Sequence, residues 1–322
     1  MKRRWPSVNR RGSGRKRATG SCDDADPMAR FVFPPPLRPG DRIAIVAPSS
    51  PFPRGDLWPG LGWLRDRYAL VARTSLLDRT GFLAGSDATR ALALGEAMIA
   101  PGIKAIVAAR GGYGATRIVD ALPWDAFARA PRWIVGFSDV TALHAEATAR
   151  GIASIHAPNV TGLAGRDAWL RSCWLRAVER PRAAVEWSNL TVLHGGSAVG
   201  EIVGGNLALI EAMAAAGRWR PPAGAILALE DVSERPYRLD RMLTSLRVGG
   251  YLSRLAGVVF GEFDHCDPGP DGVTAAQVLA ERTTGLGIPV LAGAPFGHGA
   301  RNDAFVLGTR AEIAGANVRI GE

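Results

Sequence analysis

The sequence is poor in cysteine, with Cys22, Cys173 and Cys266 in 322 residues and no pair in a C-x-x-C spacing. An odd, scattered set excludes a disulfide framework and a cysteine zinc site, and suits a reducing compartment. No apolar run approaches the roughly 18 residues that span a bilayer, so no membrane helix is expected and the protein reads as soluble. Histidine is also scarce: five residues, which limits the choice of a catalytic base.

An excess of positive charge over the body of the chain is lacking as well. The formal charge is +9, but residues 1–27 hold eight Lys and Arg against three Asp, a net of +5 that leaves +4 for the other 295 residues. That balance gives no reason to expect nucleic acid as a partner, and a nucleic-acid-binding arm is the weaker reading of the basic block. The block carries Gly, Ser and Pro with no apolar periodicity, so residues 1–30 are expected to be a disordered basic tail, with Met28 as an alternative start. Its "RR" is followed by no apolar stretch, so no export signal is read and a cytoplasmic protein is expected.

What is present is alternation. "DRIAIVAPSS" (41–50) and "RYALVART" read as strands, "DATRALALGEAMIAP" as a helix, and "IKAIVAARGGYGATRIVDAL" as strand, Gly-rich turn and helix. "PRWIVGFSDVTALHAEATARG" repeats that scheme, and "IASIHAPNV" adds a strand. Such βα alternation predicts an α/β fold with a parallel sheet covered by helices. The pattern blurs between 162 and 198. An N-terminal parallel-sheet α/β domain (31–162), a connector (163–198) and a smaller C-terminal α/β domain (199–322) are therefore expected. In the last of these, "GGNLALIEAMAAAG" reads as a helix, "GAILALEDV", "LAGVVFGEF" and "IPVLAGAPFGHG" as strands, and "DAFVLGTRAEIAGANVRI" as terminal strands.

Ser138 lies where the strand "WIVGF" turns into a helix. It is either an N-cap or a nucleophile raised on a tight turn, and G-F-S-D-V lacks the second glycine of the usual nucleophile pattern. "ARGGYGATR" (109–117) is a tight turn, a phosphate cradle or, through the Gly112 N–H, an oxyanion donor facing the Asp139 N–H. As a base, His144 is misplaced, about 600° and 9 Å along the helix from Ser138. His298, in "PFGHGARND", follows an apolar strand, and its flanking glycines are expected to leave room for a substrate. In "LEDVSE" (229–234), Glu230 ends a buried strand and needs a partner there. Asp231 and Glu234 are expected to be exposed and to cap the next helix. No histidine near this acidic stretch completes a metal site.

Taken in order, "RGGYGATR", "GFSDVTAL", "GGNLALI", "LEDVSERPYRLDRML" and "FGHGARN" resemble the LD-carboxypeptidase family of serine peptidases (family S66) over about residues 40–315. The resemblance implies a catalytic Ser138–Glu230–His298 triad and an oxyanion hole from the Gly112 and Asp139 N–H groups. It further implies a site at the domain junction, no metal or organic cofactor, and a homodimer. Substrate contacts are expected at Tyr113, Arg117 and Asn206. The implied reaction releases terminal D-alanine from murein tetrapeptides in cell-wall recycling. That substrate ends in a carboxylate and calls for a cation. Arg117, Arg235 and Arg301 are the candidates, the last two reading better as surface or interdomain residues. The resemblance extends to a sibling activity, hydrolysis of a peptide-nucleotide antibiotic of the microcin C type or another small acyl-amide. There an aromatic such as Trp169 or Trp174 would stack the base. A non-catalytic binding protein would not need all three triad residues.

Overall fold

The computed structural model describes residues 31–165 and 167–322; the basic tail, Met28 and Cys22 lie outside them. The first half runs β1 (Arg42–Val46), α1 (Arg54–Arg65), β2 (Ala69–Ala72), α2 (Asp87–Ile99) and β3 (Ile103–Ala108). It continues through α3 (Trp124–Arg129), β4 (Trp133–Gly136), α4 (Thr141–Ala149) and β5 (Ser154–His156). These five strands pair in parallel in the order β5-β4-β3-β1-β2. They are near-continuous runs of Ile, Val and Ala, as strands covered on both faces must be. One helix was hidden from sequence inspection. α1 contains Pro59, Gly60 and Gly62, poor helix formers. Gly60 is there for contact: a β-carbon on it would meet the Val160 carbonyl oxygen at 2.1 Å.

The second half opens with α5 (Ala168–Glu179), β6 (Val185–Trp187), β7 (Thr191–His194) and β8 (Ser197–Asn206). The segment expected as a connector thus holds a helix and two strands. Trp174 and Val178 of α5 are fully buried against the first sheet. Next come α6 (Leu207–Ala215), β9 (Ile226–Val232), α7 (Pro236–Val248), β10 (Gly257–Asp264), α8 (Ala275–Thr283) and β11 (Val290–Ala292). The chain closes with β12 (Phe305–Leu307), β13 (Arg310–Ala314) and β14 (Asn317–Ile320). The second sheet is mixed and eight-stranded, in the order β6-β14-β13-β8-β9-β10-β11-β7, with β8 to β11 parallel at its centre.

β12 is the exception. It leaves the second half and pairs antiparallel with β5, closing the edge of the first sheet. Between the two sheets lies one apolar core that takes Ile106, Ile134 and Leu143 from the first half and Val203, Leu227 and Leu243 from the second. α4 runs through it and is buried from Thr141 to Thr148. Glu146 is 2 % exposed there, and is matched by Arg150 and by Arg218, both bonded to its carboxylate. An unpaired carboxylate at that depth would cost several kcal/mol. Phe31–Glu322 form one compact unit. Among the described residues no helix is long and apolar enough to cross a membrane.

Candidate active site

Three turns meet at the carboxyl ends of β1, β3 and β4, the edge of an open parallel sheet where ligands bind. β4 ends at Gly136, and the chain bends at once into a 3-10 turn, Ser138–Val140. Gly136 is required: a β-carbon would lie 2.7 Å from Asn159 Oδ1 and 2.9 Å from a Val140 methyl. Asn159 Oδ1 accepts the Phe137 N–H, and the buried His144 bonds the Gly136 carbonyl oxygen at 2.9 Å through Nε2. Burial pushes the His144 imidazole down to about 4, so it stays neutral as a prop for the strand end.

Ser138 sits at the apex of this bend with φ 64°, one of four described non-glycine residues with positive φ. Holding an L-residue there costs about 1–2 kcal/mol. The hydroxyl returns none of it through hydrogen bonding: Ser138 caps neither the 3-10 turn nor α4, and its Oγ has no hydrogen-bond partner among the described residues. The N-cap reading therefore fails. What remains is a strained serine with its hydroxyl free.

The Gly-rich turn packs directly on it. A β-carbon at Gly111 would stand 2.8 Å from Ser138 Cβ and 2.9 Å from Oγ. Gly112 follows with φ 107°, and a β-carbon there would strike Ser50 Oγ at 2.5 Å. Ser50, which the sequence offered only as the end of a strand, pins the turn: its Oγ accepts the Tyr113 N–H and its N–H donates to the Gly111 oxygen. Asp139, fully buried, ties the two turns together by accepting the Ala115 N–H at 2.8 Å. Gly111→Ala is expected to cut turnover roughly 100-fold, because a methyl in front of the hydroxyl displaces any bound carbonyl. Steady-state rates and a denaturant melt of the same sample check this, with the melt moving far less than the rate.

The facing wall comes from the second half. His298 lies on the loop between β11 and β12, closed at its base by the Asp303 N–H on the Pro295 oxygen. Its ring centroid is 4.8 Å from that of Phe137, the neighbour of Ser138. Its Nδ1 is 2.7 Å from Glu230 Oε2. A carboxylate acceptor requires the proton on Nδ1, which leaves the Nε2 lone pair available as a base. Burial would lower the His298 pKa, but the Glu230 hydrogen bond and charge, with Asp231 and Asp264, hold it above its ordinary value.

The flanking glycines serve this pair. A β-carbon at Gly297 would crowd Glu230 Cβ at 3.1 Å, and one at Gly299 would overlap the Glu262 carboxylate at 1.9 Å. They make room for carboxylates, where room for a substrate was expected. Asp231 also departs from expectation. It is 3 % exposed and accepts the Ala208 N–H in the first turn of α6. Burial, then the charge of Glu230, pushes its carboxyl up to about 6. Glu234 pairs with Arg238 on α7.

The expected substrate contacts divide. Tyr113 is 48 % exposed beside the Gly-rich turn, its ring 5.8 Å from the exposed Phe82. Arg117 is drawn off by Asp87, which accepts from its Nε and a terminal nitrogen. Asn206 is buried, caps α6 through Oδ1 and donates its amide to Asp231. Among the described residues no cluster of three metal-ligating side chains occurs.

The two halves that bring together this strained serine, its glycine turn and the Glu–His pair each match a domain of one family. Residues 43–157 match the LD-carboxypeptidase N-terminal domain and residues 199–313 the C-terminal domain. The chain belongs to the LD-carboxypeptidase family. It is 38% identical to a putative carboxypeptidase of Synechocystis sp., over 88% of this chain and 95% of that one. It is 32% identical to the murein tetrapeptide carboxypeptidase of Pseudomonas aeruginosa, over 86% and 94%. The crystal structure of muramoyltetrapeptide carboxypeptidase from Oxalobacter formigenes superposes with a TM-score of 0.79 at 29% identity, covering 87% of this chain and 99% of that one. The fold also matches that of the microcin C7 self-immunity protein MccF, with a TM-score of 0.81 at 20% identity, over 90% and 98%. LD-carboxypeptidase family membership makes the chain a peptidase-type hydrolase with two sheets and the two matched domains.

Proposed function

We propose that this protein is a serine LD-carboxypeptidase that removes the terminal D-alanine from murein tetrapeptides, with Ser138 as nucleophile, His298 as base and Glu230 as orienting acid. The observation that carries the reading is Ser138 itself: a positive φ, a hydroxyl with no structural task, and a glycine turn pressed against it. The murein tetrapeptide carboxypeptidase among its relatives supports the substrate class. His298 Nε2 takes the Ser138 proton as Oγ attacks the carbonyl before D-alanine. The Gly112 and Asp139 N–H groups hold the oxyanion, and the Asp139 carboxylate keeps their two turns in register. His298 then returns the proton to the leaving amine, and water clears the acyl-enzyme. Glu230 holds the Nδ1–H tautomer and stabilises the cation that forms. No step calls for a metal or organic cofactor. Tyr113 and Phe82 line the approach for the rest of the peptide. Recycling in the cytoplasm and a homodimer belong to this reading through the family resemblance, as does a domain boundary within 163–198.

The test is D-alanine release from a purified murein tetrapeptide, with a serine-directed phosphonate probe in parallel. Release together with labelling of Ser138 is expected. Labelling without release would move the assignment to an acyl-amide such as the microcin C type. Neither would return the chain to a binding protein.

A further inference from the structure

We infer that His156 is a positioning residue: its buried imidazole is the spacer that sets Ser138 against His298. This rests on the Ser138–His298 reading above. His156 is the last residue of β5, the strand that joins the first half to β12 of the second. On one side it pairs with Gly136, the end of β4, and the Ala157 N–H donates to the Gly136 oxygen at 3.1 Å. Ser138 follows Gly136 by two residues. On the other side His156 pairs with Phe305, the first residue of β12, where the loop that bears His298 lands. One residue thus borders both the strand that delivers the serine and the strand that ends the histidine loop.

Its side chain repeats what its backbone does. The imidazole is fully buried and stacked on Phe305, with ring centroids 5.0 Å apart and planes 22° apart. Phe137 meets it at 5.8 Å and Phe296 at 5.5 Å, both edge to face. Phe137 precedes Ser138 and also lies 4.8 Å from the His298 ring, while Phe296 stands two residues before His298. The imidazole is therefore wedged between the turn of the one and the loop of the other. Trp187, stacked on Phe296 and edge-on to Phe305, backs the cluster, so a change in ring size has to move Phe137 or the loop. The ring nitrogens are a cost here. Asn302, whose Oδ1 also accepts the Gly297 N–H, favours the charged imidazole, but neither nitrogen finds a partner in good hydrogen-bond geometry among the described residues. Burial, helped by the charges of His144 and His298, pushes the pKa down to about 3, so the ring is neutral wherever the base works. A neutral, flat, five-membered ring in a nest of larger aromatic rings acts by its size.

The test follows the phosphonate probe, because labelling of Ser138 reads the Ser–His geometry whichever peptide is the substrate. His156→Ala should lower the maximal labelling rate roughly 100-fold, the loss that a misplacement of about 1 Å brings, with the half-saturating probe concentration within about threefold. His156→Asn, planar but smaller, should lose about tenfold, and it carries the comparison if alanine unfolds the junction. Leu246→Ala, a cavity near the C-terminal end of α7, should lower the urea midpoint and leave the labelling rate unchanged. Thiophene, an uncharged five-membered ring, should fill the space left in His156→Ala and raise its rate roughly tenfold, as dry apolar cavities take up such molecules. Imidazole should do no better than thiophene, and the acid limb of the labelling rate should stay where the wild type has it. Labelling of His156→Ala at the wild-type rate, or an equal loss in Leu246→Ala, overturns the inference. Rescue by imidazole alone would give the role to the ring nitrogens and overturns the spacer as well. A wild-type protein whose Ser138 takes no label overturns the serine reading, and this inference with it.

Discussion

Ser138→Ala is expected to lower D-alanine release by 10⁴-fold or more, as loss of a triad nucleophile does elsewhere. The variant should remain folded, because Oγ bonds nothing among the described residues. A second substitution separates chemistry from strain. Alanine keeps the β-carbon and so keeps the cost of φ 64°, whereas glycine releases it. Ser138→Gly should be as inactive as Ser138→Ala yet unfold at a higher urea concentration, by about 1 kcal/mol after the greater chain entropy of glycine is offset. Equal stability of the two would mean that the bend stores no strain. Residual turnover within tenfold of wild type in either variant would remove Ser138 from the mechanism.

Glu230→Gln is expected to reduce kcat about 10⁴-fold and to move the pH profile in a stated direction. The competent form of His298 is neutral, so activity rises with pH through its pKa. In the wild-type protein that pKa is held above the ordinary value by Glu230 against the opposing effect of burial. With the carboxylate gone, burial meets less opposition and the acid limb should shift to lower pH even as the rate falls. Initial rates over pH 5–9 check both. An acid limb that stays in place would show that Glu230 does not act on His298 in solution.

The elements that carry the proposed triad were legible in the sequence for physical reasons that also explain what was not. β1, β3 and β4 are short apolar runs that lead into turns rich in serine or glycine, and β9 carries Glu230 near its buried end, where a carboxylate invites a search for its partner. α1 was invisible because Pro59, Gly60 and Gly62 contradict helix propensity locally; packing against Val160 overrules it. β8 was missed because "SAVGEIVGGN" is mostly small residues, and only pairing with β9 and β13 makes it a strand. Arg117 misleads for a similar reason. It sits in a motif, but motif position says nothing about which carboxylate is already within reach. Asp87 decides that, 30 residues away. Contacts between distant segments also recruited Ser50 and Asn159, neither of which carries a local signal.

The stray strand β12 has a consequence in time. β5 leaves the ribosome with one edge unpaired, and the segment that covers it follows about 150 residues later. Until then the half that carries Ser138 is an unfinished sheet with an adhesive border, and the loop bearing His298 has only one of its two moorings. The same late stitch that seals the border draws His298 towards the turn of Ser138. A nascent chain therefore exposes its stickiest edge while Ser138 still lacks His298 beside it, and both gaps close in one event.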